Sequence, residues 1–312
     1  MKEQKPAAAE RGGAADSGLF GPNSASWRVL RESSVMVGGV RALLMHAAHP
    51  LVVAGARQTG MYEHDPWRRL ERTLRLTFTV VFGTTAEAQA ASRRIDDVHR
   101  GIKGIDLVTR LPYDARDPAL LLWVHACLVA SFLELERRTL GRLDDAGRQR
   151  FHEEQMVGVA PLGLPPEGIP PTVAALDAYL QQVIASGILR RTDSAAQVAA
   201  LIRSPPRQVP RRRLWRLVSF LAFHTLPPEL RDLYEVRHRW RHELALRMIC
   251  GLMRLDRPLL SPRWRFIAPA LAAEARLRGG PVQVSEVGLF AESPPRPEPS
   301  APQGRGSGSS PG

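Results

Sequence analysis

Two cysteines in 312 residues leave no basis for a disulfide framework. Cys127 and Cys250 both lie in apolar, helix-patterned stretches, which predicts two free thiols in a reducing compartment. The same scarcity excludes a zinc-type cysteine cluster. Lysine is almost missing as well, at positions 2, 5 and 103 alone. The formal charge of +12 is therefore carried by arginine, in a chain otherwise rich in alanine, glycine and proline. That balance looks like the coding bias of a GC-rich genome, and no nucleic acid is expected as partner. A nucleic-acid face wants basic residues interleaved with stacking aromatics. The one dense cluster, Arg207 to Arg216 (RQVPRRRLWR), reads as a loop and helix start near an acidic or membrane surface.

Other absences narrow the class. The amino terminus shows no charged region followed by an apolar core and a cleavage site, so the expected location is cytoplasmic. No run of alternating β-branched residues occurs, nor any Asn-Gly or Asp-Gly hairpin signal. GxGxxG, Walker and GxSxG motifs are missing. His152-Glu153-Glu154 lacks the second histidine of a zinc-protease helix. The apolar run from Pro118 to Leu133 is shorter than a membrane span needs. The fold class that remains is all-α, a multi-helix single domain over residues 19–285, between disordered tails at 1–18 and 286–312.

The stretch with most chemical content runs from His64 to Gly104. Two helices are expected there, joined by Phe82-Gly83-Thr84-Thr85. Thr84-Thr85-Ala86-Glu87 is a capping box, which starts the second helix at Thr84 or Thr85. Ala88, Ala91, Ile95, Val98 and Ile102 form its apolar stripe, with His99 on the edge. By pattern, His99 is either a hydrogen-bonded core residue or a metal ligand. Arg68, Arg69, Arg72 and Arg75 read as a solvated helix face unless a ligand claims them.

Elsewhere, Ser24 or Ser26 caps a first helix, Gly38-Gly39 interrupts, and Pro50 kinks or restarts the run that carries His46 and His49. These two histidines either line a pocket or are satisfied by backbone in the core. Asp106 to Asp117 reads as a loop. Pro118 opens a helix apolar on all sides, hence central, with His125 deeply buried in it. Helices follow from Thr172, Thr192, Leu214, Glu229 (to Leu255) and Pro262 (to Arg278).

Six short pieces in order resemble one known family. They are Gly21-Pro22-x-Ser24-x-x-Trp27, Ala48-His49-Pro50, Asp65-Pro66-x-x-Arg69-Leu70-x-Arg72-Thr73, Phe82-Gly83-Thr84, Val98-His99-x-x-x-Lys103-Gly104 and Trp123-Val124-His125-Ala126. The family holds the bacterial latex-clearing proteins, or rubber oxygenases, and the fungal oxygenase MpaB. The resemblance implies a globin-like core around a non-covalent haem b, with His99 as iron ligand and Arg69 and Thr73 in the pocket. Arg72 stands where a rubber oxygenase has a lysine that caps the distal iron site. A guanidinium stays protonated and has no lone pair for iron. Another group, His125 or His46 among the side chains, is then left for that side.

The expectations from the resemblance are concrete. His99 is the metal ligand, oriented by Asp96 one turn back. Arg69, Arg72 and Lys103 hold the haem, and Thr73, Arg72 and His125 serve catalysis. O2 and a hydrophobic, isoprenoid-like substrate are the partners, and the reaction is oxygen insertion with oxidative C=C cleavage. Three rivals stand beside it: a haem carrier, sensor or peroxidase-like protein; a non-haem metal enzyme using His46, His49, His99 or His125; and an Arg-rich helical binding module.

Overall fold

The computed structural model describes residues 15–60, 66–205 and 212–279, apart from the side chains of 66–72. These residues form fourteen α-helices and one short β-hairpin, an all-α single domain as the sequence predicts. The first five helices are α1 (Ala25–Leu30), α2 (Val35–Ala48), α3 (Pro50–Gln58), α4 (Pro66–Phe82) and α5 (Thr85–Arg100). The hairpin pairs β1 (Lys103–Ile105) antiparallel to β2 (Pro112–Asp114), with Gly104 opposite Tyr113. Then come α6 (Pro118–Thr139), α7 (Asp145–Val159), α8 (Val173–Ala185), α9 (Asp193–Arg203) and α10 (Arg212–His224). The chain ends in α11 (Pro228–Leu233), α12 (Trp240–Asp256), α13 (Pro262–Arg265) and α14 (Ala268–Leu277).

α6 is the axis of the molecule. Asp117 caps it by accepting from the Ala119 N–H at 2.8 Å, and Pro118 opens it without losing a backbone bond. It is long and apolar enough to cross a bilayer, but more than half of its apolar window is buried inside the molecule. Leu121, Trp123, Ala126, Cys127, Val129 and Leu135 all lie in the core, which is how a helix apolar on every side finds its place. α2 packs along it. A Cβ on Gly38 would sit 2.7 Å from the Phe132 ring, so a glycine is required where the two helices close up. The expected break at Gly38-Gly39 is therefore corrected: α2 runs unbroken, and the first glycine serves packing. The chain does turn at Pro50, by 105° between α2 and α3.

Four further expectations change. The loop from Asp106 to Asp117 holds the β2 strand. The helix read from Glu229 to Leu255 is two helices, because Glu235 adopts a left-handed φ of 55° between them. The last helix is likewise divided, where Phe266 bridges to Glu32 and the Ile267 N–H donates to the Arg31 carbonyl at 2.9 Å. Residues 15–18, assigned to the first tail, are placed, and Asp16 accepts from the N–H and hydroxyl of Thr85 at 2.8 and 2.9 Å.

Candidate functional site

The end of α5 is fixed from its start. Thr84 caps the helix by accepting from the Glu87 N–H, and Glu87 accepts from the Thr84 N–H at 2.8 Å, the reciprocal pair that the sequence predicts. The start is also anchored by Asp16. From there sixteen residues lead to Arg100, and Gly101 ends the helix. The buried side is Ala88, Ala91, Ser92 and Asp96. Val98, expected in the stripe, faces solvent at 52% exposure, and the carboxylate Asp96 lies inward instead.

His99 is half-buried, and its Nδ1 is buried with no hydrogen-bond partner. Loss of hydration pushes its pKa below the ordinary histidine value; the Asp96 charge opposes that shift and the Arg116 charge adds to it. The imidazole is therefore neutral at pH 7, with a ring nitrogen uncommitted. Asp96 does not orient it by a hydrogen bond. Its Oδ2 accepts from Arg100 Nε and Nη2 at 3.1 and 2.6 Å, and its Oδ1 is 3.2 Å from Arg116 Nε. The Arg100 hydrogen bond is the main reason why the Asp96 pKa lies below the usual carboxylate range. Arg116 follows the hairpin and belongs to no periodic element, so no sequence pattern announces it.

Beyond α5 the chain is held against α3. Gln58 donates to the Gly101 carbonyl at 3.3 Å and accepts from the Tyr113 hydroxyl at 3.2 Å. Lys103 pairs with Asp114 across the hairpin at 2.9 Å and is mostly exposed. The hairpin then presents Ile105, Leu107, Val108 and Leu111 to solvent, four aliphatic side chains within ten residues of His99 or slightly beyond.

The other histidines divide. His46 is half-buried, and its Nε2 donates to the Val124 carbonyl at 3.0 Å, a group satisfied by backbone. His49 is buried, its Nδ1 unpartnered, with its ring 6.1 Å from that of Trp123, whose Nε1 is also unpartnered. His125 is buried, its Nε2 unpartnered, and its ring is 6.3 Å from His152. Burial, with a smaller contribution from His152, lowers the His125 pKa to about 4. His152 donates through Nε2 to the Pro170 carbonyl at 2.8 Å, and its Nδ1 has no hydrogen-bond partner. Neither Trp123 Nε1 nor His152 carries a site signal in the sequence, although Trp123 stands in one of the matching pieces.

On α4, the side chains of Arg69 and Arg72 lie outside the described residues. Thr73 is exposed, one turn before Thr77, whose hydroxyl donates to its carbonyl at 3.0 Å. Arg207 to Arg211 also fall outside the described residues. Among those described, no group of three or more His, Cys, Asp or Glu side chains is arranged to hold a metal ion. His46, His49, His99 and His125 thus do not form a ligand set of their own, which removes the support for a non-haem centre built from them. A cleft of about 430 Å³ lies elsewhere, lined by Arg203, Arg216, Phe220, Phe223, His224 and Arg237. Beside it His224 and His238 meet Nδ1 to Nδ1 at 3.0 Å.

A family model described as "ER-bound oxygenase mpaB/B'/Rubber oxygenase, catalytic domain" matches residues 27–255. Two curated proteins are similar to the chain: the uncharacterized protein Rv2237 of Mycobacterium tuberculosis and the uncharacterized protein Mb2261 of Mycobacterium bovis. Each is 24% identical over 251 residues, covering 76% of this chain and 94% of the relative. No solved structure matches.

Proposed function

The chain belongs to the family of mpaB-type and rubber oxygenase catalytic domains, and from that premise we propose that it is a haem b-dependent oxygenase acting on a hydrophobic small molecule. The family supports an oxidoreductase that uses O2 and a small-molecule substrate. One observation carries the finer reading. His99 ends a helix capped and anchored at its start, and presents a neutral imidazole with an unpartnered buried nitrogen. That is the chemical state an iron ligand needs.

The residues fit the group in the following roles. His99 holds the iron. Asp96, clamped by Arg100 and Arg116, sets a negative charge beside the His99 ring. Arg69 and Arg72 suit the two propionates by forked, charge-assisted hydrogen bonds, and Lys103, fixed by Asp114, adds a third cation at the rim. Thr73 serves as hydroxyl donor on the substrate side. His125, uncharged at neutral pH, serves as the buried group that accepts or returns a proton. When bound, the haem supplies O2 activation and one-electron redox chemistry. The exposed aliphatic side chains of the hairpin that follows α5 favour a hydrophobic, isoprenoid-like substrate, with cleavage of a C=C bond placing one oxygen atom of O2 on each carbonyl fragment. The proposed location is the cytoplasm.

One feature favours a haem carrier or sensor instead: Thr73 is exposed rather than enclosed. Steady O2 consumption with an unsaturated lipid separates the two readings. The cofactor itself is tested by the absorption spectrum of the purified protein, before and after dithionite, beside His99→Ala. The expected result is a haem band that the variant loses, with affinity lower by about tenfold or more. A colourless protein after reconstitution with haem, or a variant that keeps full haem, overturns the proposal.

A further inference from the structure

α12 is apolar on two opposite sides. Leu246 and Cys250 face the core. On the other side Trp240, Leu244, Met248, Leu252 and Leu255 recur at spacings of four and three and are all exposed, Trp240 at 79% and Leu255 at 76%. The stripe continues past the helix through Leu259, at 85%, and Leu260 to Trp264. An ordinary surface helix keeps its apolar residues on one face, so a second, outward stripe of this length needs an occupant. The helix has 17 residues and is about 25 Å long.

The charges beside the stripe say which occupant. Arg237, Arg239, Arg241, Arg247, Arg254 and Arg263 are all exposed, although Arg247 pairs with Glu243 at 3.1 Å and Arg254 donates to the Arg137 carbonyl. Between residues 237 and 265 no carboxylate is exposed: Glu243 and Asp256 are both half-buried. Arg237 also lines the 430 Å³ cleft with Arg203 and Arg216, where three guanidinium groups outnumber the one exposed carboxylate, Glu235. A second copy of the chain laid on this face would bring arginine against arginine, with few acids to relieve it: Glu243 is already paired with Arg247 at 3.1 Å, and the exposed Glu235 lies before the start of the helix; paired helices instead use complementary charges at the flanks. An anionic bilayer offers what the stripe lacks. Acyl chains take Leu244, Met248, Leu252 and Leu255, lipid phosphates take the flanking guanidinium groups, and Trp240 and Trp264 lie at either end, where indoles favour the headgroup level.

We propose that the outward face of α12, from Trp240 to Trp264, docks the protein on an anionic lipid surface. The helix lies in the interface plane and does not cross it. The lipid is a docking surface here, and the proposal stands independently of the haem.

The test is co-sedimentation of the full-length protein with vesicles of phosphatidylcholine alone and of phosphatidylcholine mixed with phosphatidylglycerol. Preferential binding to the anionic vesicles, weakening as salt rises, is expected. Arg241→Gln with Arg263→Gln touches two exposed residues and lowers partitioning by about fivefold per charge. Leu244→Glu with Leu252→Glu abolishes it, while circular dichroism and any haem spectrum stay unchanged. Equal binding to neutral and anionic vesicles overturns the proposal, as does binding that survives Leu244→Glu with Leu252→Glu. So does a protein that ignores vesicles but forms a dimer which those glutamates dissociate; the face would then belong to a second copy.

Discussion

His46 and His125 differ from an ordinary surface histidine in one respect that can be measured. Burial holds both pKa values at about 4, against 6.5 for a hydrated imidazole. Each ring is neutral when folded and takes up a proton more readily when unfolded. Their contribution to stability is complete above pH 6.5 and is lost as pH falls toward 4. At pH 5 the loss is on the order of 2 kcal/mol for each ring. Urea unfolding at pH 7.5 and pH 5 should show that drop, and His46→Gln should remove about half of it, leaving the His125 share; a midpoint that does not move over this range would refute the burial argument. His99 belongs to the same chemistry, with one distinction: it lies in the last turn of α5 with a ring nitrogen unpartnered, whereas His46 meets the α6 backbone at the Val124 carbonyl. The sequence makes His99 visible through helical spacing and the run Val98-His99-x-x-x-Lys103-Gly104. It conceals what surrounds Asp96, because Arg116 comes back from beyond the hairpin, and no local period encodes a pairing across twenty residues.

The elements show the same division between local and distant causes. Caps are local, and Ser24, Thr84, Asp117, Asp144, Thr172 and Thr192 all accept the helix-starting hydrogen bonds that their side chains permit. Breaks are not local. Gly38-Gly39 reads as an interruption, yet α2 continues through it because packing on α6 outweighs the low helix propensity of glycine. Glu235 carries no breaker signal, yet it ends α11 in the left-handed region. The two glycines of α2 can be told apart by experiment. A methyl group on Gly38 would press 2.7 Å from the Phe132 ring, whereas around Gly39 nothing lies within 4 Å. Gly38→Ala should lower stability by about 1–3 kcal/mol through overpacking, despite a better helix former. Gly39→Ala should raise it by about 0.5–1 kcal/mol. Urea midpoints of the two variants should move in opposite directions, and movement in the same direction would show that backbone propensity, not the α2–α6 contact, governs this helix.

At the scale of the molecule, the chain closes by bringing its last described helices back onto its first. The Arg257 guanidinium pairs with Glu32 in a buried site, at 3.2 Å through Nε, and Arg265 approaches the same carboxylate at 3.5 Å. Nearby the Ser33 N–H donates to the Arg265 carbonyl at 2.8 Å, and Arg276 on α14 donates to the Phe82 carbonyl at 2.9 Å. Phe82 ends α4 and leads into the turn that starts α5, so the closure supports the helix carrying His99 from behind. The residues matched by the family model stop at 255, two before Arg257. The closing segment thus lies past the matched region, and no motif within that region points to it. Removing one partner of a buried ion pair strands the other charge, whereas replacing both with apolar groups removes the need for either. Glu32→Gln should therefore destabilise the protein by about 3–5 kcal/mol, seen as a lower thermal midpoint. Glu32→Leu combined with Arg257→Met should recover most of that loss, because Arg265 is less buried and reaches solvent when the carboxylate is gone. If the double variant is no more stable than Glu32→Gln, the pair does more than neutralise charge at the closure. The bridge from Glu32 to Phe266 would then depend on the carboxylate itself, and weakening it should loosen α14, α4 and the start of α5 together, read as faster amide exchange in all three.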